Sequence, residues 1–428
     1  MLSNMCQSIF ECVWSKYRRP DTVLFLLNRW ALVALPMACL LGTAGCGAPG
    51  KVEPVSFSAP PTVETVADLS LPADERAALL RTATAALERS PDPLPVVHVE
   101  GTLPTLPAYQ RALQAKKDWG SIAVLANAHA MDREPRHLDG YAHYLAAWLD
   151  VYRISGNPID ETGLGDWLLA YRSAGAALPP ALAQRMRQFA CDLAVRYTQR
   201  QPASRKTSTN NWQSHRVKLA VMGAHVCAKA ALIAEAEAAF ATQIQDNLLP
   251  SGENVDFAER DAIHYVVYSV EPLLEAALFA RPQGRSLFAT TGPKGQSISR
   301  TLEWLAPYAR GDKTHEDFVH SQVRFDAQRA AAGVPGFAGP FSPKKAQLTY
   351  WLAAQLDAKW LELSKKLGSP SITQRASWLV RWRVLGEGLR ASIPSQCASP
   401  VHNSGRCFRS SNPPLEPIID YGISPLYS

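Results

Sequence analysis

Residues 209–220, TNNWQSHRVKLA, place many hydrogen-bonding side chains at the start of a predicted helix. Residues three, four and seven positions apart share one face of a helix. One such polar stripe consists of Asn211, Ser214, His215 and Lys218. Solvated helix faces are usually mixtures of Glu, Lys and Gln. With this composition, a functional site and a solvent-exposed face are about equally well supported.

A second polar stripe lies in residues 259–280, ERDAIHYVVYSVEPLLEAALFA. Its first row is Arg260, His264 and Tyr268, spaced by four, and its neighbouring row is Asp261 and Tyr265. The structural alternative is a half-buried helix whose tyrosines reach water and whose Arg260 pairs with a nearby Asp. By itself, this second stripe does not decide between the two interpretations.

The relation between the two stripes favours a site. One predicted helix, residues 234–249, separates them along the chain. If consecutive helices alternate between an outer and an inner ring, this helix is outer and both stripes face inward. We therefore expect Asn211 and His215 to open onto the same cleft as Tyr265.

The rest of the chain predicts an all-α fold. Stretches with helical periodicity follow one another and are separated by turn sequences such as SGNPIDETG and LPSGEN. No repeat of fixed period is present, so we expect an (α/α) toroid, an incomplete barrel of paired antiparallel helices, over residues 66–395. Only residues 95–101, PVVHVEG, have the pattern of a strand. Residues 396–428 predict a poorly ordered tail.

The N-terminal region predicts export. Arginines precede the apolar run WALVALPMACLLGTAGC, which has the length of a signal peptide. We expect residues 1–45 to be the signal and Cys46 to be lipidated, as in a bacterial lipoprotein. Residues 46–65 would then be a Pro- and Ser-rich tether. This places the protein in the periplasm or cell envelope, with the membrane reached through the lipid anchor only.

Composition excludes several other classes of protein. The net charge of +6 includes no basic run typical of nucleic-acid binding, so no nucleic acid is expected. No cysteine or histidine cluster has the spacing of a metal site. We expect Cys397 and Cys407 to be able to pair, and Cys191 and Cys227, on separate predicted helices, to be free buried thiols.

The residue types in the two stripes suit abstraction of a proton next to a carboxylate. That proton is weakly acidic until donors such as Asn, His or Arg neutralise the carboxylate charge. A Tyr or His can then take the proton, while a second transfer protonates the leaving oxygen. A tyrosine needs cationic neighbours to act as a base, because its pKa is normally near 10. The predicted reaction is β-elimination on a uronic acid polymer.

The two segments resemble the alginate lyase family of (α/α) toroid polysaccharide lyases. The resemblance rests on Asn210-Asn211 and on an ungapped match that includes Tyr265, Tyr268, Pro272 and Leu273. It departs from the family at Trp212, where the family has His, and at Ala258, where the family has a charge-neutralising Arg. His215, about one helical turn after Trp212, and Arg260 or Arg216 are the expected replacements.

The resemblance implies a cofactor-free lyase acting on an acidic polysaccharide. Asn211 would neutralise the carboxylate, and His215 would neutralise it or abstract the proton. Tyr265 would be the general base and acid, with Arg260 and His264 in support. The expected substrate-binding residues are Lys206, Arg216, Tyr268 and Trp212. Three further tryptophans could stack on sugars, although burial in the core is the more common fate of such residues: Trp119, Trp148 and Trp167.

Two other functions fit the sequence. A non-catalytic, polysaccharide-binding periplasmic lipoprotein would explain the displaced His and the missing Arg. A glycoside hydrolase on an (α/α) barrel would use a pair of carboxylates, for which Asp256, Glu259 and Asp261 are candidates.

Overall fold

The computed structural model describes residues 71–199, 201–202 and 204–378, and within these ranges it contains helices and no strand. The predicted signal peptide, tether and tail lie outside the described residues. So do the proposed lipidation site Cys46 and the cysteines Cys397 and Cys407. All of the described residues belong to one compact unit.

Fourteen α-helices are present in the described part of the chain. They are α1 Ala73–Leu87, α2 Pro107–Asp132, α3 Pro135–Val151, α4 Pro158–Glu161, α5 Leu164–Ala174, α6 Pro180–Thr198, α7 Asn211–Cys227, α8 Ala230–Asn247, α9 Val255–Arg260, α10 Ile263–Ala280, α11 Ile298–Arg310, α12 Arg324–Ala331, α13 Gln347–Leu356 and α14 Leu361–Leu367. Residues 372–378 are also helical. None of the helices within the described ranges is both long enough and apolar enough to span a membrane.

The helices alternate between two rings, as the sequence predicts. The inner helices contact one another in the order α2, α5, α7, α10 and α13. Outer helices pack against four of them: α3 on α2, α6 and α8 on α7, α11 on α10, and α14 on α13. Nearly every side chain of α7 and α10 is buried, whereas α8 buries only one face. The inner helices therefore present polar side chains to the interior of the toroid and not to bulk solvent.

Local sequence explains where the helices begin and end. Pro occupies the first turn of α2, α3 and α6, where its missing N–H costs nothing. Asn210 caps α7 and Asn254 caps α9 through their side-chain oxygens. The sequence predicts helices over residues 212–233 and 259–280, and a left-handed residue interrupts each of them: Ala228 ends α7, and Asp261 separates α9 from α10.

The strand predicted for residues 95–101 is wrong. The segment is extended but pairs with no other strand among the described residues. Its apolar pattern arises because Val97 and Val99 enter the core. The backbone N–H groups of Val99 and Glu100 donate to the buried carboxylate of Asp160, each at 2.8 Å. These hydrogen bonds to a side chain take the place of the backbone hydrogen bonds that a neighbouring strand would make.

Cys191 and Cys227 form a disulfide between α6 and α7, so the prediction of free thiols is wrong. The two Cα atoms lie 4.8 Å apart, within the range that a disulfide requires. Gly223 allows this approach, because a Cβ at that position would lie 2.9 Å from the carbonyl oxygen of Ala190 on α6. The two cysteines are 36 positions apart in the sequence, and only the packing of α6 on α7 brings them together.

Candidate active site

The polar stripe on α7 is buried and contacts the neighbouring helices, which excludes a solvated face. Its four members make these contacts: Asn211 with Asp256 at 2.5 Å, Ser214 with Ser269 at 3.2 Å, His215 with Thr162 at 2.7 Å and Lys218 with Glu275 at 2.8 Å. Hydrogen bonding between inner helices therefore accounts for much of the polar composition of this helix.

Asp256 organises the N-terminal end of α7. Its carboxylate accepts hydrogen bonds from the backbone N–H and the side-chain amide of Asn211, and from the amide of Asn247 on α8 at 3.0 Å. Burial raises the pKa of Asp256, and these donors act in the opposite direction. One of the two amide hydrogens of Asn211 is thus used to join α7 to α9.

His215 lies directly beside Tyr268, with the two ring centroids 4.5 Å apart. Its Nδ1 shares a hydrogen bond with the hydroxyl of Thr162, while its Nε2 is buried without a partner. Burial, with a smaller effect of the Lys218 charge, lowers the pKa of His215 well below its ordinary value. The imidazole is therefore neutral near pH 7 and able to accept a proton only in a transient step.

Tyr265 lies between two guanidinium groups. The guanidinium carbon of Arg260 is 4.0 Å from the centroid of the Tyr265 ring, and Nη1 of Arg329 donates to the phenolic oxygen at 3.3 Å. The Tyr265 ring is perpendicular to that of Tyr268, at 5.9 Å between centroids. Burial raises the pKa of Tyr265, whereas the charges of Arg260 and Arg329 oppose that increase.

Asp326 holds both arginines in place. Its buried carboxylate accepts from Nη1 of Arg260 at 2.5 Å and lies 3.9 Å from Nη1 of Arg329. The hydroxyl of Ser321 donates to its second oxygen at 2.7 Å. Asp256 and Glu259 also lie near Arg260. The two guanidinium groups beside Tyr265 supply the charged donors that a site for an anionic sugar requires.

A segment that we call the cover, residues 311–342, closes this site. It carries α12 with Asp326 and Arg329, and its Phe318 and Phe337 pack on the ring of His264. Only 5% of Tyr265 is exposed beneath it. The cover also supplies the cap of α10, because the carboxylate of Asp317 accepts from the N–H groups of Ile263 and His264.

The predicted helical arc of Arg260, His264 and Tyr268 is interrupted, although its members stay together. Arg260 ends α9, and the left-handed turn at Asp261 separates it from α10. The side chain of Arg260 nevertheless reaches the Tyr265 ring. His264 remains on α10, with 5.2 Å between its ring centroid and that of Tyr265.

The expected substrate-binding residues have different environments. Tyr268 is buried in the site beside His215, Trp212 is half-buried in the first turn of α7, and Lys206 is exposed in the turn before it. Arg216 is almost fully buried and donates to the carbonyl oxygen of Thr207 at 2.6 Å. Its geometry indicates a structural role, anchoring the turn before α7, in place of the predicted contact with substrate.

Sequence reasoning missed the residues that the cover contributes. Arg329 and Asp326 lie in a short helix whose sequence, RFDAQRAA, has no motif and an ordinary mixture of charges. Lys345, whose Nζ lies 3.2 Å from Nδ1 of His264, precedes α13 in a turn that the sequence indicates only as a helix start. Only tertiary packing identifies these residues, since no regular spacing links them to Tyr265.

Residues 65–315, more than half of the chain, match the family model of the alginate lyases. The chain belongs to the alginate lyase family. It is a polysaccharide lyase, and its substrate is a polysaccharide. No curated protein sequence matches the chain.

Solved structures of alginate lyases share its fold. A crystal structure of an alginate lyase from Bacteroides ovatus is 14% identical and superposes with a TM-score of 0.51, covering 74% of this chain and 95% of that one. The apo form of a histidine-to-alanine variant of alginate lyase A1-III is 16% identical, with a TM-score of 0.50 and coverages of 72% and 93%. The (α/α) toroid expected from the sequence is confirmed.

Within this alginate lyase family member, the structure distinguishes between the two expected replacements for the family Arg. Ala258 is exposed on α9, so the family position contributes nothing to the site. Arg260 lies on the ring of Tyr265, whereas Arg216 is directed towards Thr207. Arg329 adds a second cation from a part of the chain beyond the family match.

Proposed function

We propose that this lyase cleaves an acidic polyuronate by β-elimination and that Tyr265 is its general base and acid. The observation that carries the proposal is the position of the Tyr265 hydroxyl, bonded to Arg329, with Arg260 against its ring and His215 in the adjacent ring pair. The two cations beside the phenol favour its ionised form, against the burial that raises the pKa of Tyr265. The same cations attract the carboxylate of the sugar.

The reaction follows from this arrangement. A cationic group and an amide donor neutralise the uronate carboxylate, which acidifies the hydrogen on the adjacent carbon. The Tyr265 phenolate removes that proton, the electron pair forms a carbon–carbon double bond, and the glycosidic carbon–oxygen bond breaks. The phenol then returns the proton to the leaving oxygen. His264 and Arg260 support Tyr265, and Asn211 and His215 assist with the carboxylate.

Two of the three candidate carboxylates for a hydrolase, Asp256 and Asp261, have structural roles. Asp256 is buried and bonded to Asn211 and Asn247. Asp261 accepts from the backbone N–H of His320 at 3.0 Å and lies 3.3 Å from Nε2 of His315. Because hydrolysis needs one acid and one carboxylate placed across the bond, this arrangement does not favour it.

The experiment is a panel of polyuronates, alginate and glucuronan included, incubated with the purified chain. β-Elimination produces an unsaturated sugar end, which we expect to detect by ultraviolet absorbance. We expect His215→Ala to abolish the absorbance, while His225→Ala, about three helical turns further along α7, leaves it unchanged. Reducing ends without absorbance would identify a hydrolase, and binding without either product would identify a non-catalytic protein.

We also infer that the chain is exported and anchored to a bacterial membrane through lipidated Cys46. The Cys191–Cys227 disulfide supports export, because such bonds persist in oxidising compartments. Metabolic labelling with a lipid precursor tests the anchor. We expect label in the natural chain and none in Cys46→Ala; label in neither would contradict the anchor.

A further inference from the structure

Lys345 contacts His264 from outside the two predicted stripes. Its Nζ lies 3.2 Å from Nδ1 of His264 and 3.4 Å from the carbonyl oxygen of Gly336 in the cover. Lys345 lies beyond residue 315, where the match to the family ends. The contact is therefore a feature of this chain that the family match does not describe.

We propose that Lys345 is a positioning residue that fixes the tautomer of His264, so that His264 presents a permanent Nε2–H donor to the uronate bound beside Tyr265. This proposal rests on the function proposed above. It assigns His264 a defined role, that of a neutral hydrogen-bond donor and not that of a base.

The argument begins with the chemistry of the two side chains. A lysine ammonium carries three donors and no acceptor, so the Nδ1 atom facing it must offer a lone pair. A neutral imidazole with a lone pair on Nδ1 carries its proton on Nε2. Nε2 of His264 makes no hydrogen bond within the described residues and, unlike Nε2 of His215, is not sealed from solvent.

The surroundings of His264 keep the ring neutral. Burial lowers the pKa of His264 to about 3, and nearby cations contribute to the decrease. The charged and titratable groups that face the ring from the packed elements are Lys345, Arg260, Arg329, Asp317, Tyr265 and Tyr268. Asp317 is directed to the backbone N–H of His264, so its carboxylate does not stabilise an imidazolium.

The backbone around Lys345 is shaped for this contact. Gly336 has a φ of +85°, and a Cβ at that position would lie 2.8 Å from Nζ of Lys345. Glycine adopts this conformation readily and leaves room for the ammonium group. The cover therefore contributes a carbonyl acceptor that aims the ammonium at Nδ1.

The test compares Lys345→Met with Lys344→Met in the full chain. Lys344 is exposed in the same turn, so its substitution removes an equal charge without touching His264. Nitrogen-15 NMR of labelled histidines reports the tautomer directly. We expect an unprotonated Nδ1 for His264 in the natural chain and in Lys344→Met, and mixed tautomers in Lys345→Met.

Activity gives the second readout. We expect Lys345→Met to lower kcat/KM by about tenfold to a hundredfold, the loss expected for one hydrogen bond to a charged group. The acidic side of the pH profile should change little, because burial, the main cause of the lowered pKa of His264, remains in Lys345→Met. In His264→Gln, which retains an amide donor in place of Nε2–H, we expect Lys345→Met to cause no further loss.

Two outcomes would overturn the proposal. One is a protonated Nδ1 in the natural chain, and the other is a Lys345→Met spectrum that matches that of Lys344→Met. The NMR measurement needs no substrate, so it stands even if the panel of polyuronates yields no product. If Lys345→Met loses helicity, the spectrum of the natural chain decides, and a protonated Nδ1 there still overturns the proposal.

Discussion

The protein contains two aromatic clusters that differ in their charge. In the first, Trp119, Trp148 and Trp167 lie within 5.8 Å of one another between ring centroids. In the second, Tyr265 and Tyr268 pack with His215, His264 and two phenylalanines of the cover. Both clusters are buried at similar ring spacings, so aromatic packing alone does not distinguish a core from a site.

The difference lies in what surrounds the rings. In the first cluster, Nε1 of Trp148 donates to the buried carboxylate of Asp118, and the hydroxyl of the adjoining Tyr152 donates to Glu161. Nε1 of Trp119 and Nε1 of Trp167 are buried without a hydrogen-bond partner among the described residues. The second cluster is surrounded by cations, with Arg260, Arg329 and Lys345 within contact distance of its rings or ring atoms. Packed aromatic rings stabilise the first, whereas the arginine and lysine donors around the second make it suitable for an anionic substrate.

The largest predicted effect on activity should follow the loss of the Tyr265 hydroxyl from the second cluster. We expect Tyr265→Phe to lower kcat about 10²- to 10⁴-fold, because it removes the proposed acid and base but retains the ring. Thermal unfolding should change little. Initial rates of ultraviolet absorbance on the active polyuronate measure the effect, and a rate within threefold of the natural chain would reject Tyr265 as the catalytic group.

In the tryptophan cluster, we expect a substitution to lower stability and not activity. We expect Trp148→Ala to lower the free energy of unfolding by about 3 to 5 kcal/mol, through the cavity it leaves and the lost bond to Asp118. Urea unfolding followed by circular dichroism measures this loss. Activity per folded molecule should stay near that of the natural chain. A selective loss of activity with unchanged stability would place the tryptophans in the sugar-binding site.

Removing one cation tests how positive charge affects the ionisation of Tyr265. The pKa of Tyr265 is raised by burial and lowered by its arginines, so Arg329→Met should raise it further. If the phenolate is the base, the rising limb of kcat/KM against pH moves to higher pH, by about one to two units. At neutral pH this lowers the rate by up to about a hundredfold. Arg324→Met, on the exposed face of the same helix, is the control and should leave the limb in place.

The two clusters also show how far sequence reasoning extends. The stripes containing His215 and Tyr265 were predictable because helical periodicity is local and the alternation of inner and outer helices relates one hairpin to the next. Arg329 was not predictable, because its contact with Tyr265 joins residues 64 positions apart in the chain with no regular spacing between them. The Cys191–Cys227 bond was missed for the same reason.

The smallest predicted effect tests whether the first cluster is structural throughout. Glu161 accepts hydrogen bonds from the hydroxyls of Tyr152 and Tyr197 and from the backbone N–H groups of Ser155 and Gly156. Tyr152→Phe retains the ring and three of these four donors. We therefore expect a loss of about 1.5 kcal/mol in unfolding free energy, at the low end for a bond to a charged group. Unlike Tyr265→Phe, it should leave kcat and the pH profile unchanged. A rate loss comparable to that of Tyr265→Phe would show that a phenol outside the charged cluster takes part in the chemistry, and the distinction between the clusters would fail.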